Sequence, residues 1–307
     1  MGELVDPLAS VRAYLAAEKS DNTRRAYAAD WAAFQAWAEA QQLAVLPAEP
    51  MTVARYLAQL ADSGLKASTI TRVVSAIRYA HRAAGREPPT GAEGVKAVMR
   101  GIRRTKGTRP NRKAPATADA LELMLATMPD RLVGLRDRAL LLIGFAAARR
   151  RSELVALNVD DVERVKGGAL LHIRRSKTDQ EGRGTIVPVP NGKRFKPIAA
   201  LDTWLEAAGI TDGALFREID RHGRVGHAAL SDRSVARIVK RAARAAGLDD
   251  RLFSGHSLRA GFVTSALADD VDPLKVMKIT GHVDPKTLAI YDRREAGLED
   301  HAGKGFL

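Results

Sequence analysis

The side chains best equipped for chemistry cluster between Phe253 and Arg294. In the run His256-Ser257-Leu258-Arg259, which reads as the start of a helix, His256 and Arg259 are three residues apart and share a face. They also stand at the positive end of the helix dipole, where backbone N–H groups favour a bound phosphate. His282 and Tyr291 follow, nine residues apart. On one unbroken helix that spacing would send them to nearly opposite faces, but Gly281 and Asp284-Pro285 let the chain turn so that both can reach one site. A tyrosine hydroxyl, with a pKa of about 10, becomes a nucleophile only when a base takes its proton. Histidine can be that base, and arginine binds anionic oxygens bidentately while staying charged. The set therefore suits attack on an anionic ester.

Competing chemistries are poorly provided for. The chain has no cysteine, which removes disulfides, thiolate nucleophiles and thiolate metal sites. It carries no GxxxxGK[ST] phosphate loop. His222 and His227 lie in and just after the Arg221–Gly226 stretch without a carboxylate pair at ligand spacing, so no metal and no cofactor is expected.

The elements that must hold these residues follow from periodicity. Helices are expected at Pro197–Ala208, Ser231–Ala246, His256–Ala268 and Pro273–Thr280, the last with Asp272 as N-cap, Pro273 in its first turn and Gly281 as its stop. Further upstream, Thr117–Thr127 and Leu135–Ala148 read as helices, whereas Ala169–Arg174 and Thr185–Val189 are short apolar, β-branched runs expected to be strands. Nearer the N-terminus, Tyr27, Trp31, Phe34 and Trp37 form one stripe of a helix over Thr23–Gln41, with Asp21, Asn22 and Thr23 as candidate caps. Met51–Ser63, Ser68–Ala84 and Ala92–Arg104 complete a group of four helices. The fold class expected is mainly α with a small antiparallel sheet, in two domains: a helical domain over residues 1–105, a basic linker over 106–115, and an α/β domain over 116–307.

With 49 Lys plus Arg against 36 Asp plus Glu, the net charge of +13 points to a polyanionic partner. Lys106, Arg109, Arg112 and Lys113 of the linker, and Arg237 and Arg241 of the Ser231–Ala246 helix, are candidate nucleic-acid contacts; a solvated basic surface is the plain alternative. The most apolar run, Ala139–Ala148, is too short to span a membrane, and the first ten residues lack the pattern of a secretory signal, so a cytoplasmic location is expected.

Taken in order, HSLRAGFVTSAL and ITGHVDPKTLAIY resemble the catalytic boxes of the tyrosine recombinase, or phage-type integrase, family: HxxR, then a His or Trp, then the nucleophilic tyrosine nine positions on. The resemblance implies two further residues and a support. The family's first arginine lies three before an acidic residue, in a pattern like TGLRxSEL; here AAARRRSELVAL makes Glu153 that acid and selects Arg150 from three adjacent arginines, with Ala148 and Arg149 where a glycine and an apolar residue are usual. Solvated surface is the expectation for Arg149 and Arg151. The family lysine sits in a turn between two strands, which matches Lys177.

By the same resemblance, Arg150 and Arg259 would clamp the phosphate, His256 would accept or relay the tyrosine proton, and His282 would hydrogen-bond the phosphate. Lys177 would protonate the leaving 5′ oxygen. Tyr291 would form a 3′-phosphotyrosyl link that can rejoin to another strand without metal or ATP. The expected function is site-specific DNA recombination. Type IB topoisomerase-like relaxation and an inert DNA-binding protein of the same fold are the alternatives. The implied partners are double-stranded DNA with paired recognition sites and further copies of the chain in a tetramer. The short stretch before the first helix leads us to expect no additional arm-site-binding domain, and the 16 residues after Tyr291, ending in Phe306 and Leu307, are a candidate exchanged tail.

Overall fold

The computed structural model describes residues 18–108, 112–174 and 184–282, with 284, 285 and 288. The chain divides into two compact units, Met1–Asn111 and Arg112–Leu307. In the first, α1 (Asp21–Ala40), α2 (Pro50–Asp62), α3 (Ala67–Ala83) and α4 (Glu93–Lys106) pack around Phe34, Leu57, Ile70, Ile77 and Met99. Of the aromatic stripe on α1, Phe34 is fully buried and the other three rings are half-buried, with Trp37 and Phe34 both against Tyr56. The N-cap of α1 is Ser20, whose hydroxyl accepts from the Thr23 N–H, rather than one of the three residues after it. Glycine closes α2 and α3 as expected: Gly64 and Gly85 adopt φ of +91° and +66°.

The second unit is built on α6 (Leu132–Ala146), whose Leu140, Leu141 and Ile143 are fully buried. Around it lie α5 (Ala118–Ala126), α7 (Arg151–Val155), α8 (Pro197–Ala207), α9 (Asp232–Ala245), α10 (Ser257–Ala268) and α11 (Pro273–Thr280). Trp204 of α8, Val235 and Val239 of α9 and Leu258 of α10 share its core. Two short antiparallel sheets complete the unit. In one, β1 (Val162–Val165), β2 (Gly168–Ile173) and β3 (Thr185–Pro190) are in that order, with Val162 opposite Leu171 and Ile173 opposite Thr185. The other pairs β4 (Arg217–Ile219) with β5 (Val225–Ala229). Sequence periodicity finds β2 and β3 but misses β1, β4, β5 and α7, each only three to five residues long. Elements that short are held by tertiary partners and carry little pattern of their own.

The expected linker is shorter than its composition suggests. Thr105 and Lys106 belong to α4, whose last turn is rich in basic side chains that suit its negative dipole end, and Gly107 at φ +70° stops it. At the other end the chain is already part of the second unit: the N–H groups of Ala114 and Ala116 donate to Leu252 O and Ser257 O at 2.6 and 2.8 Å. Close packing carries that contact into α10. A Cβ on Gly261 would stand 1.7 Å from the Ala116 carbonyl oxygen, so only glycine lets the helix approach.

Candidate active site

Three elements converge on the candidate site: the turn that ends α6 and begins α7, the first turn of α10, and the end of α11. Their approach is set by small residues. A Cβ on Gly144 of α6 would lie 2.8 and 3.0 Å from side-chain atoms of Leu258 and Leu154, so the helices carrying Arg259 and Glu153 both lie against α6 at that point. Between α6 and α7 the chain reverses through Ala148, which takes φ +49°. That left-handed conformation costs an alanine about 1 to 2 kcal/mol, which explains physically why glycine suits the position.

The reversal separates the three arginines that the sequence leaves adjacent. Arg150 caps α7 and is gripped twice by Glu153: its Nη1 donates to Oε1 at 2.7 Å and its backbone N–H to Oε2 at 3.2 Å. The Glu153 side chain is 3% exposed and that of Arg150 is 25% exposed, so the carboxylate is enclosed while the guanidinium still reaches solvent. Arg151 points away, pairing with Asp232 of α9 at 3.1 Å. Arg149 corrects the expectation of a solvated side chain. It is 4% exposed, donates through Nε to Ala147 O at 2.7 Å and through Nη2 to Ile279 O, and lies 3.9 Å from Glu153.

Arg259 is the most enclosed member, at 1% exposure. Its Nη1 donates to Ala148 O at 2.9 Å and Thr280 O at 2.6 Å, which joins α10 to both other elements. Its Nη2 meets His282 Nε2 at 2.9 Å. A guanidinium only donates, so Nε2 is the acceptor and the imidazole proton sits on Nδ1. There it donates to Thr280 Oγ1 at 2.8 Å, and that hydroxyl in turn donates a hydrogen bond to Val276 O at 2.9 Å. The local sequence builds this chain as expected: Asp272 caps α11, Gly281 at φ +69° ends it, and His282 comes next. His282 is held down at a pKa of about 4, first by lost hydration and then by the charges of Arg259 and Arg150. His256, the N-cap residue of α10, is lowered by the same causes in the same order. Both rings are therefore neutral at pH 7.

Two of the sequence-derived residues, Lys177 and Tyr291, lie outside the described residues, as does Arg109. The strands flanking Lys177 pair as far as Ile173 and Thr185, and Arg174 beside that end is tied to the buried Asp161 at 2.5 Å. Before Tyr291, Leu288 is buried with Val263, Leu267 and Val276. Among the candidate DNA contacts, Lys106 lines an 800 Å³ groove with Lys66 and Arg103, and Arg112 is exposed. Lys113 donates to Arg251 O at 2.7 Å, Arg237 to Ser234 Oγ at 2.9 Å, and Arg241 pairs with the buried Asp137. Sequence reasoning missed Arg149 and Thr280. Arg149 did leave a signal, since it directly ends the apolar run Ala139–Ala148.

A domain of packed helices with a small sheet, holding two buried arginines, a glutamate and two neutral histidines at the meeting of three helix ends, agrees with what comparison with known proteins finds. The phage integrase family model matches residues 116–296, and the phage integrase N-terminal SAM-like domain model matches residues 12–88. The chain belongs to the phage integrase family and is a tyrosine recombinase, an enzyme of site-specific DNA recombination. An integrase/recombinase xerD homolog of Selenomonas ruminantium is 41% identical over 290 residues, covering 92% of this chain and 85% of that one. A tyrosine recombinase XerD of Bradyrhizobium diazoefficiens is 31% identical, with 90% and 88% covered. In fold, the chain is similar to a lambda integrase (75-356) dimer bound to a COC' core site, with TM-score 0.62, 18% identity and 94% and 95% of the two chains covered. It is also similar to the XerH site-specific recombinase in a post-cleavage complex, with TM-score 0.57, 19% identity and 83% and 69% covered.

Proposed function

We propose that the enzyme cleaves double-stranded DNA by attack of Tyr291 on a phosphodiester, and that Arg150, Arg259, His256, His282 and Lys177 carry the reaction, with Glu153 as support. The observation that carries this reading is the pairing of a partly open Arg150, fixed at both ends by Glu153, with a buried Arg259 linked to His282. Two fixed guanidinium groups neutralise the oxygens of a phosphodiester as charge builds in the transition state. Arg150 is the group able to reach out to it.

His256 has its pKa lowered, so it is unprotonated at neutral pH and suited to take the Tyr291 proton. His282 has a different task before DNA arrives, since its Nε2 accepts from Arg259. A phosphate entering there takes over as acceptor for Arg259, and its negative charge raises the imidazole pKa, so that a proton on Nε2 can then face the phosphate. Lys177, which lies between β2 and β3 in the sequence, is assigned to the leaving oxygen. The product is a 3′-phosphotyrosyl link that keeps the ester's energy for rejoining.

The N-terminal unit, through the groove of Lys66, Arg103 and Lys106, and the exposed arginines 233, 237, 241 and 244 of α9 are the proposed backbone contacts. Paired sites and a tetramer of the chain on DNA complete the proposal. Its test is capture: the protein is incubated with fragmented genomic DNA, denatured, and the covalently attached fragments are sequenced. Tyr291→Phe is expected to bind the captured sequence with no adduct. An undiminished adduct removes Tyr291 as nucleophile, and fragments without a shared repeat remove site-specific recognition.

A further inference from the structure

Arg149 is buried, with 4% of its side chain exposed. Its guanidinium is enclosed by Ala147 O, Ile279 O and, at 3.9 Å, Glu153, whose carboxylate is chiefly occupied by Arg150. Burying a charge with only part of a counter-ion is a costly way to fill space, and apolar side chains often replace such groups with no loss of stability. What the guanidinium provides and an apolar chain does not is direction. Its fork joins a carbonyl of the turn after α6 to a carbonyl in the last turn of α11. Arg259 makes the same kind of bridge one residue along on both sides, from Ala148 O to Thr280 O. Carbonyls in a last helical turn lack partners within the helix and carry its partial negative charge, so they suit these cations.

The two bridges do not have equal duties. Arg259 also holds His282, and a bound phosphate competes for that guanidinium. Arg149 has only the protein to hold. We infer that Arg149 is a positioning residue of this site: it staples the end of α11 to the 147–148 turn and so keeps Thr280 and His282 aligned on Arg259, whether or not Arg259 is engaged by phosphate. This rests on the assignment of Arg259 and His282 to the phosphate. The chain thus uses an arginine where its family resemblance leads one to expect an apolar residue.

The test needs no DNA, so its outcome is separate from that of the capture experiment. Full-length protein labelled uniformly with 15N is compared with Arg149→Met and Arg149→Lys. In the parent, the His282 ring is expected to show a protonated Nδ1 and an unprotonated Nε2. In Arg149→Met the ring is expected to show mixed tautomers, and the Gly281 amide, bonded to Met277 O, to exchange roughly tenfold faster. The ring of His81, buried in the other unit between Ala48 N and Ile77 O, serves as an unmoved control. A single tautomer with parent-like exchange in Arg149→Met overturns the inference, even if the melting temperature falls, since that leaves Arg149 a packing role alone. Should Arg149→Met not fold, Arg149→Lys decides. An ammonium lacks the fork that spans both carbonyls, so Gly281 exchange is expected to rise at least about threefold, and parent-like exchange and tautomer overturn the inference.

Discussion

Replacing Glu153 with glutamine tests the electrostatic logic of the site with almost no change of shape. The carboxylate is 3% exposed and faces three groups: the Arg150 guanidinium, the Arg150 N–H and Arg149. Glutamine can keep an oxygen toward the guanidinium, but its NH2 then meets the Arg150 N–H, donor against donor, at a cost of about 1 to 3 kcal/mol. The larger loss is the counter-charge. Removing one partner from a buried ion pair typically costs about 3 to 5 kcal/mol, and the 25% exposure of Arg150 places this case toward the low end. A loss of about 3 kcal/mol in a unit of roughly 200 residues lowers the melting temperature by about 6 to 12 °C. Asp202→Asn is the control. Its pair with Arg164 is nearly half exposed on both sides and carries about 1 kcal/mol at most. Thermal melts by circular dichroism at low and high salt decide. A Glu153→Gln melt within 2 °C of the parent would refute the claim that this carboxylate neutralises buried arginines. So would a drop no larger than that of Asp202→Asn.

Other consequences follow from the same geometry. Ala148→Gly empties a buried methyl and loosens the unfolded chain but relieves the left-handed strain, so urea melts should place it within about 1 kcal/mol of the parent. Ala147→Gly, buried next to it at φ −81°, has no strain to relieve and should lose about 2 kcal/mol. Gly261→Ala drives a methyl into the Ala116 carbonyl and should cost about 3 kcal/mol by the same measurement; a neutral effect would mean that α10 does not approach that strand of chain as closely. Because native His282 sits near pKa 4 against 6.5 unfolded, the unfolded state binds the proton first as pH falls. Stability should therefore drop from about pH 6.5 toward 4, and His282→Gln should flatten the part of the urea-midpoint profile between pH 6.5 and 5, leaving the contribution of His256, which has the same sign. Arg150→Lys should cut the rate of covalent adduct formation about a hundredfold, while Arg151→Lys, which keeps its charge beside Asp232, should leave it within about threefold.

Much of the site was legible because its cues are local. The Asp272-Pro273 start and Gly281 stop fix α11 from within the sequence, and the three-residue step from His256 to Arg259 puts both on one turn of α10. The strands around Lys177 announce themselves by short apolar and β-branched runs and extend nearly as expected, to Ile173 and from Thr185. Glu153 marks Arg150 only through the family resemblance, whose first arginine lies three residues before an acid. Tertiary structure decided what spacing cannot express. Arg149, Arg150 and Arg151 are chemically identical neighbours, yet one is buried on carbonyls, one is held half open by a glutamate and one pairs outward with Asp232. Their fates diverge because Ala148 turns the chain left-handed just before them and because α11, 130 residues later, brings Ile279 and Thr280 to that turn. No periodicity encodes such a contact, and the same holds for the proton on His282, which is set by an arginine 23 residues away and a hydroxyl two residues away.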